Sequence, residues 1–94
     1  MIYVDFQDVV LPHPEWDEPV WMATGLDLVG LDGAPAEVLA TEVWYASQLL
    51  RRETKYFSSQ FSPKSVKSVL DFLDEVFAVA ETREGQPVSV RWWE

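Results

Sequence analysis

Two amphipathic segments constrain the fold of this 94-residue chain more than any other feature. Each repeats apolar residues at intervals of three and four, which is typical of a helix that buries one face. Such a helix needs an apolar layer to pack against, and the other apolar segments of the chain are short. The chain is therefore expected to form one domain, residues 1–94, in which two helices cover a small second layer.

The first helical segment is "DGAPAEVLATEVWYASQLLRRE". Asp32 or Ala34 is expected at its cap, and Pro35 suits the first helical position. Arg51 and Arg52 fall in its last turn, where the helix dipole favours cations. The predicted buried stripe consists of Leu39, Val43, Ala46 and Leu50.

The second helical segment begins with Ser62 as N-cap and Pro63 at the first helical position. Gly85 is expected to end it, and Pro87 prevents its continuation. Its polar face carries Asp71, Asp74 and Glu75. The predicted buried stripe consists of Val66, Val69, Leu70, Leu73, Val76, Phe77 and Ala80.

The remaining apolar segments predict strands. "IYVDFQ" alternates in the manner of a half-buried strand that bulges or ends at Asp8, and "VSVRWW" predicts a final strand. "VWMAT" and "LDLVGL" are interpreted as two short strands around Gly25. "PHPEWDEP", with three prolines, predicts a loop. "TKYFSSQF" fits either a short strand or a loop.

These elements predict an α+β domain. We expect a small mixed sheet of three to four strands, with two amphipathic helices packed on one face. In this two-layer arrangement, Trp92 of the final strand is expected in the core and Trp93 on the opposite, uncovered face, because side chains alternate along a strand.

Charge is distributed unevenly along the chain. The formal net charge is −9, and residues 1–50 hold nine acidic residues and no Lys or Arg. An acidic surface repels phosphate backbones and anionic membranes, so neither nucleic acid nor membrane is expected as a partner. There is no cysteine, no long apolar run and no basic residue ahead of the first apolar residues, which favours a cytoplasmic protein.

No pattern of residues predicts catalysis. His13 is the sole histidine, and it is expected in an exposed loop without the serine context of a hydrolase. Glu15, Asp17 and Glu18 could join it at a metal, but they are better interpreted as solvated charges. We therefore predict no catalytic, metal-binding or cofactor-binding residue and no cofactor. A small carboxylate-dependent enzyme is the least favoured alternative.

Surface aromatic residues and charges favour a protein partner. Large exposed aromatics are enriched in binding sites, and an acidic surface suits a basic protein. We expect the partner to be another protein, with a homodimer as the alternative. The predicted partner-binding residues are Trp93, Arg91, Trp16, Asp17 and Glu18.

Serines cluster before the second helix, close to Lys64 and Lys67. A phosphate placed there would meet a helix N-terminus and nearby cations, which is the geometry of a phosphorylation switch. The candidate phosphosites are Ser58, Ser59 and Ser62. Helix capping alone also explains Ser62.

The C-terminal part of the chain, about residues 55–93, resembles the SiaC-type bacterial regulatory phosphoproteins. The resemblance rests on Tyr56 with Ser58 and Ser59, on "LDFL" at 70–73, and on "EGQPV" at 84–88 running to "RW" at 91–92. It implies a STAS-like fold, a strand that ends at the serines, and a non-enzymatic switch in which serine phosphorylation releases or admits a partner.

Together these observations predict a small, acidic, non-catalytic protein-interaction or regulatory module. Phosphorylation-controlled partner switching is one form of this function. The main alternative is an inhibitor or immunity-type protein whose acidic N-terminal half binds a basic enzyme.

Overall fold

The computed structural model describes residues 2–13 and 17–92. In chain order its elements are strands β1 (Ile2–Asp5) and β2 (Val10–His13), helix α1 (Glu18–Met22), a 3-10 helix (Val29–Leu31), helices α2 (Ala36–Arg52), α3 (Thr54–Gln60) and α4 (Pro63–Glu81), and strand β3 (Ser89–Trp92). The predicted α+β class is confirmed.

The sheet has three strands in the order β2-β1-β3, so the first strand of the chain lies at its centre. Both pairings are antiparallel, where a mixed sheet was expected. Val4 pairs with Leu11 on one side and with Val90 on the other, and all three side chains are buried. This row defines the face of the sheet that the helices cover.

Helices α2 and α4 form the main helix–helix contact of the domain. Every residue of the predicted α2 stripe is buried. On α4, five of the seven predicted residues are buried, while Leu70 and Phe77 are partly buried against the core. Phe72, which the pattern did not include, is buried as well. Full burial of each aliphatic side chain contributes about 1.5–3 kcal/mol, so this interface supplies much of the stability.

The predicted start of α4 is confirmed, and that of α2 differs. Ser62 caps α4 by accepting a hydrogen bond from the Ser65 backbone N–H at 3.0 Å. Pro35 is the extended N-cap residue of α2 rather than its first helical residue. Asp32 instead accepts a hydrogen bond from the Val90 N–H at 2.9 Å, which ties the entry to α2 to the edge of β3.

Three segments that were expected to be strands or loops contain helix. "VWMAT" contributes to α1, which starts at Glu18, and "LDLVGL" contains the 3-10 helix. "TKYFSSQF" contains the whole of α3, which packs on α4 and buries Phe57. The apolar and aromatic residues that favour a strand do so mainly when they pack on the surface of a sheet. In such short segments tertiary packing therefore decides between helix and strand.

Trp92 is not a core residue. Its cross-strand partner is the fully buried Ile2, so Trp92 belongs to the helix-covered side of the sheet, as its alternation with Val90 requires. However, it is the last residue of an edge strand and 49% exposed. The expectation that the helices cover it is therefore wrong. Trp93 lies outside the described residues.

The β1–β2 turn is where the strand pattern changes phase, at Gln7 and Asp8. The Phe6 N–H donates to the Val9 carbonyl at 2.8 Å, which closes a two-residue hairpin. Arg83, just beyond α4, holds this turn through a two-pronged ion pair with Asp8. The guanidinium hydrogen bond keeps the pKa of Asp8 below its ordinary value.

Gln7 occupies a left-handed conformation, with φ of +79°, that glycine adopts more easily. Such a conformation costs a non-glycine residue about 1–3 kcal/mol, and replacing Gln7 by glycine would remove this cost. Glycine also loses more conformational entropy on folding, which offsets part of the gain in stability. We expect Gln7→Gly to raise the free energy of unfolding by about 0.5–1 kcal/mol in urea denaturation.

Gln48→Gly is the control, because Gln48 is exposed within α2. Glycine in an exposed helix interior should lower the free energy of unfolding by about 1 kcal/mol. Equal losses in the two variants would show that the turn carries no strain at Gln7.

Candidate interaction surface

His13 is a core residue rather than an exposed loop residue. It is the last residue of β2, is 1% exposed, and stacks on Phe72 of α4 with ring centroids 4.4 Å apart. Burial lowers the pKa of His13, and the nearby Asp17 opposes this effect only in part. The Nε2 atom has no hydrogen-bond partner among the described residues. The imidazole is therefore held neutral, as a packing group.

Asp17 and Glu18 are likewise not solvated charges. Each is 5% exposed, and they lie at the start of α1. Asp17 lies close enough to His13 to act on its pKa, so Asp17 is on the helix-covered side of the sheet. Their assignment to a solvent-facing acidic loop is wrong. Trp16 and Glu15 lie outside the described residues.

Arg91 is exposed on the other face of the sheet. It pairs with Tyr3 in the centre of that face, which also carries the exposed Val10 and Pro12. The sheet therefore separates Arg91 from Asp17 and Glu18. The described members of the predicted partner-binding set do not form one site.

The candidate serines differ in accessibility. Ser59 is exposed on α3, and its hydroxyl donates to the Tyr56 carbonyl at 2.8 Å. Ser58 and the capping Ser62 are partly buried. The stretch from Tyr56 to Ser59 is helical, so the strand that the resemblance implies at these serines is not formed.

Several of the basic residues are engaged within the fold. Arg51 of α2 forms an ion pair with Asp74 of α4. Lys67 and Asp71 form a 2.9 Å ion pair one turn apart on α4. Arg83 is bound to Asp8 on the β1–β2 turn, so the Arg51 and Arg83 contacts join different elements of the fold, while the Lys67 contact lies within α4.

The outward side of α2 presents large apolar side chains to solvent. Tyr45 is 63% exposed and Trp44 is 43% exposed, and their rings meet edge to face at 5.2 Å. Val38 is also exposed, seven residues before Tyr45 and hence on the same side of the helix. We call Val38, Thr41, Trp44, Tyr45 and Gln48 the outer face of α2.

Shallow grooves flank this outer face. One groove, about 370 Å³, lies between α2 and α4. It is lined by Glu37, Ala40, Thr41, Phe77, Ala80, Glu81 and Glu84. The other, about 260 Å³, lies between α2 and the segment around Gly25, and Tyr45 and Leu49 contribute to it. The outer face of α2 therefore forms a ridge between two shallow grooves.

The α2–α4 groove is negatively charged. Glu37 accepts a hydrogen bond from the Gly85 backbone N–H at 2.7 Å, which lowers the pKa of this carboxyl. Glu81 and Glu84 complete the carboxylate rim. Gly85 adopts φ of +84°, a conformation that favours glycine and presents its N–H to Glu37.

The described residues form neither a metal site nor a membrane-spanning helix. Residues 2–13 and 17–92 bring together no group of three or more His, Asp or Glu side chains that could hold a metal ion. No helix within those residues has the length and apolar character to cross a bilayer. Comparison with family models, curated proteins and solved structures gives no match to this chain.

Sequence reasoning missed the outer face of α2. The stripe pattern identified which residues α2 buries, and Trp44 and Tyr45 are outside that stripe. The signal was therefore present as two adjacent aromatics on the polar side of a predicted helix.

The buried His13 predicts a pH dependence of stability. Its folded-state pKa lies below the ordinary value of 6.5, so the unfolded chain binds the proton more readily. Its stabilising contribution is present above pH 6.5 and is lost as the pH falls from 6.5 towards the folded-state pKa. Urea unfolding between pH 7.5 and 5 should show stability declining on acidification, and His13→Phe should flatten this decline.

NMR titration of the His13 ring supplies an independent check, since this chain has no other histidine. A folded-state pKa at or above 6.5 would contradict the account. So would a decline in stability that persists unchanged in His13→Phe, because it would then arise from other groups.

Proposed function

We propose that this protein is a non-catalytic interaction module whose outer α2 face binds a basic partner protein. The observation that carries the proposal is the exposure of Trp44 and Tyr45 side by side on a helix whose opposite side builds the core. Tryptophan and tyrosine are the residues that most often dominate binding energy at protein interfaces.

The position of these aromatics supports a role outside folding. Trp44 is 43% exposed and Tyr45 is 63% exposed, while Leu39 and Val43 of the same helix are fully buried. An isolated exposed apolar residue needs no explanation, but Trp44 and Tyr45 contact each other, and Val38 is exposed on the same side of the helix. Covering such a surface with a partner would remove it from water.

The charge around the outer face favours a basic partner. Between Ala36 and Leu50, α2 carries Glu37 and Glu42 and no cation. The formal charge of the whole chain is −9, so the field at this surface would steer a positively charged protein towards it. An inhibitor of a basic enzyme is a specific form of the same function, and it would use the same surface.

Phosphorylation is a second element of the proposal, supported by the exposure of Ser59. This hydroxyl is accessible on α3, which directly follows α2. A phosphate at Ser59 would add negative charge to the surface of α3. This charge would strengthen the attraction of a basic partner.

The proposal is tested by affinity capture from the lysate of the native organism. We expect proteins of high isoelectric point to be retained by the wild-type protein and lost with Trp44→Ala/Tyr45→Ala. Tyr56→Ala is the matched control, because Tyr56 is an equally exposed aromatic on α3. Retention should also weaken between about 50 and 500 mM salt, because salt screens exposed charges.

Equal retention by the wild type and by Trp44→Ala/Tyr45→Ala would contradict the proposal. Loss of retention in Tyr56→Ala alone would assign binding to α3 instead. Retention that is unaffected by salt would contradict a basic partner while leaving an apolar interaction in place.

A further inference from the structure

The groove between α2 and α4 combines an apolar floor with a charged rim. Ala40 and Ala80 are buried at its base, and Phe77 is partly buried beside them. Glu81 and Glu84 stand at its edge and are exposed. An aliphatic chain that ends in a cation has this same division between an apolar stem and a charged head.

The carboxylates of the groove are not neutralised within the described part of the chain. None of Glu37, Glu81 and Glu84 forms an ion pair there. Arg83 lies between two of these glutamates in sequence, but its guanidinium binds Asp8, on the hairpin turn. These carboxylates are therefore available to form ion pairs with a cation from another molecule.

An aromatic side chain continues this side of α2 beyond the groove. Trp44 lies one helical turn after Ala40 and hence on the same side of α2 as this groove residue, while Tyr45 lines the other groove. An indole ring close to carboxylates favours a cation in two ways, because the carboxylates pair with its charge and the π face of the ring attracts it. Arginine suits both contacts, since its planar guanidinium stacks on aromatics and pairs with carboxylates.

We infer that the α2–α4 groove and Trp44 receive an arginine-bearing segment of the partner protein. This inference rests on the proposed function and adds the chemistry of the contact. The arginine stem lies over Ala40, Ala80 and Phe77, and its guanidinium lies among the rim carboxylates. Neighbouring apolar side chains of the same segment cover Tyr45.

The test is an NMR titration of the 15N-labelled protein with a capped peptide in which arginine alternates with leucine. We expect shifts at the Trp44 indole N–H and at the backbone amides of Thr41, Glu81 and Gly85. The same peptide with citrulline in place of arginine keeps the shape and removes the charge, and it should cause no such shifts.

Two double variants separate local contact from overall charge. Glu81→Gln/Glu84→Gln should weaken peptide binding about three- to tenfold, the range expected for two exposed ion pairs. The control variant, Glu53→Gln/Glu75→Gln, removes the same charge from exposed residues outside the groove. Its affinity for the peptide should stay within about twofold of the wild-type value, because distant exposed charges are screened.

Peptide shifts that map to the Arg91 face of the sheet, or to a self-association surface, would overturn the inference. Equal binding of the citrulline peptide, or equal weakening by both double variants, would also overturn it. A captured partner that binds Glu81→Gln/Glu84→Gln normally but fails with Trp44→Ala/Tyr45→Ala would reject the groove and leave the proposed function standing. Failure of both variants to affect capture would reject the proposed function itself.

Discussion

The packing of α2 against α4 is the interaction on which the rest of the structure depends. These are the two longest helices, and each turns a continuous apolar stripe towards the other and towards the sheet. The other elements are fixed relative to this pair. Phe72 of α4 holds β2 by stacking on His13, Asp32 ties β3 to the start of α2, and Arg83 holds the β1–β2 turn.

This arrangement explains why the functional surface is on α2. A helix in a two-layer domain can bury only one side, and α2 uses that side for the core. Its other side is free to carry residues that folding does not require. There the chain places Trp44 and Tyr45, and a carboxylate-lined groove lies one helical turn from Trp44. The buried stripes of α2 and α4 pack against each other, and this packing sets the position of the two helices that form the groove.

Sequence patterns predicted the parts of the fold that are long and periodic. Local spacing predicts the buried stripes of α2 and α4, the Ser62 cap, and the first and last strands in sequence, β1 and β3. Sequence patterns did not predict the short helices α1 and α3, because segments of five and seven residues carry too little periodicity to separate a helix from a strand. The burial of His13 arises from a contact with Phe72, 59 residues away, which no local pattern reports.

The central claim is that α2 divides its two sides between folding and binding. Urea unfolding of single alanine variants tests it most directly. We predict that Leu39→Ala lowers the free energy of unfolding by about 2–5 kcal/mol, as for a buried leucine, and that Tyr45→Ala changes it by less than about 1 kcal/mol. A loss at Tyr45 as large as that at Leu39 would show that the exposed aromatic serves the fold and would contradict the account.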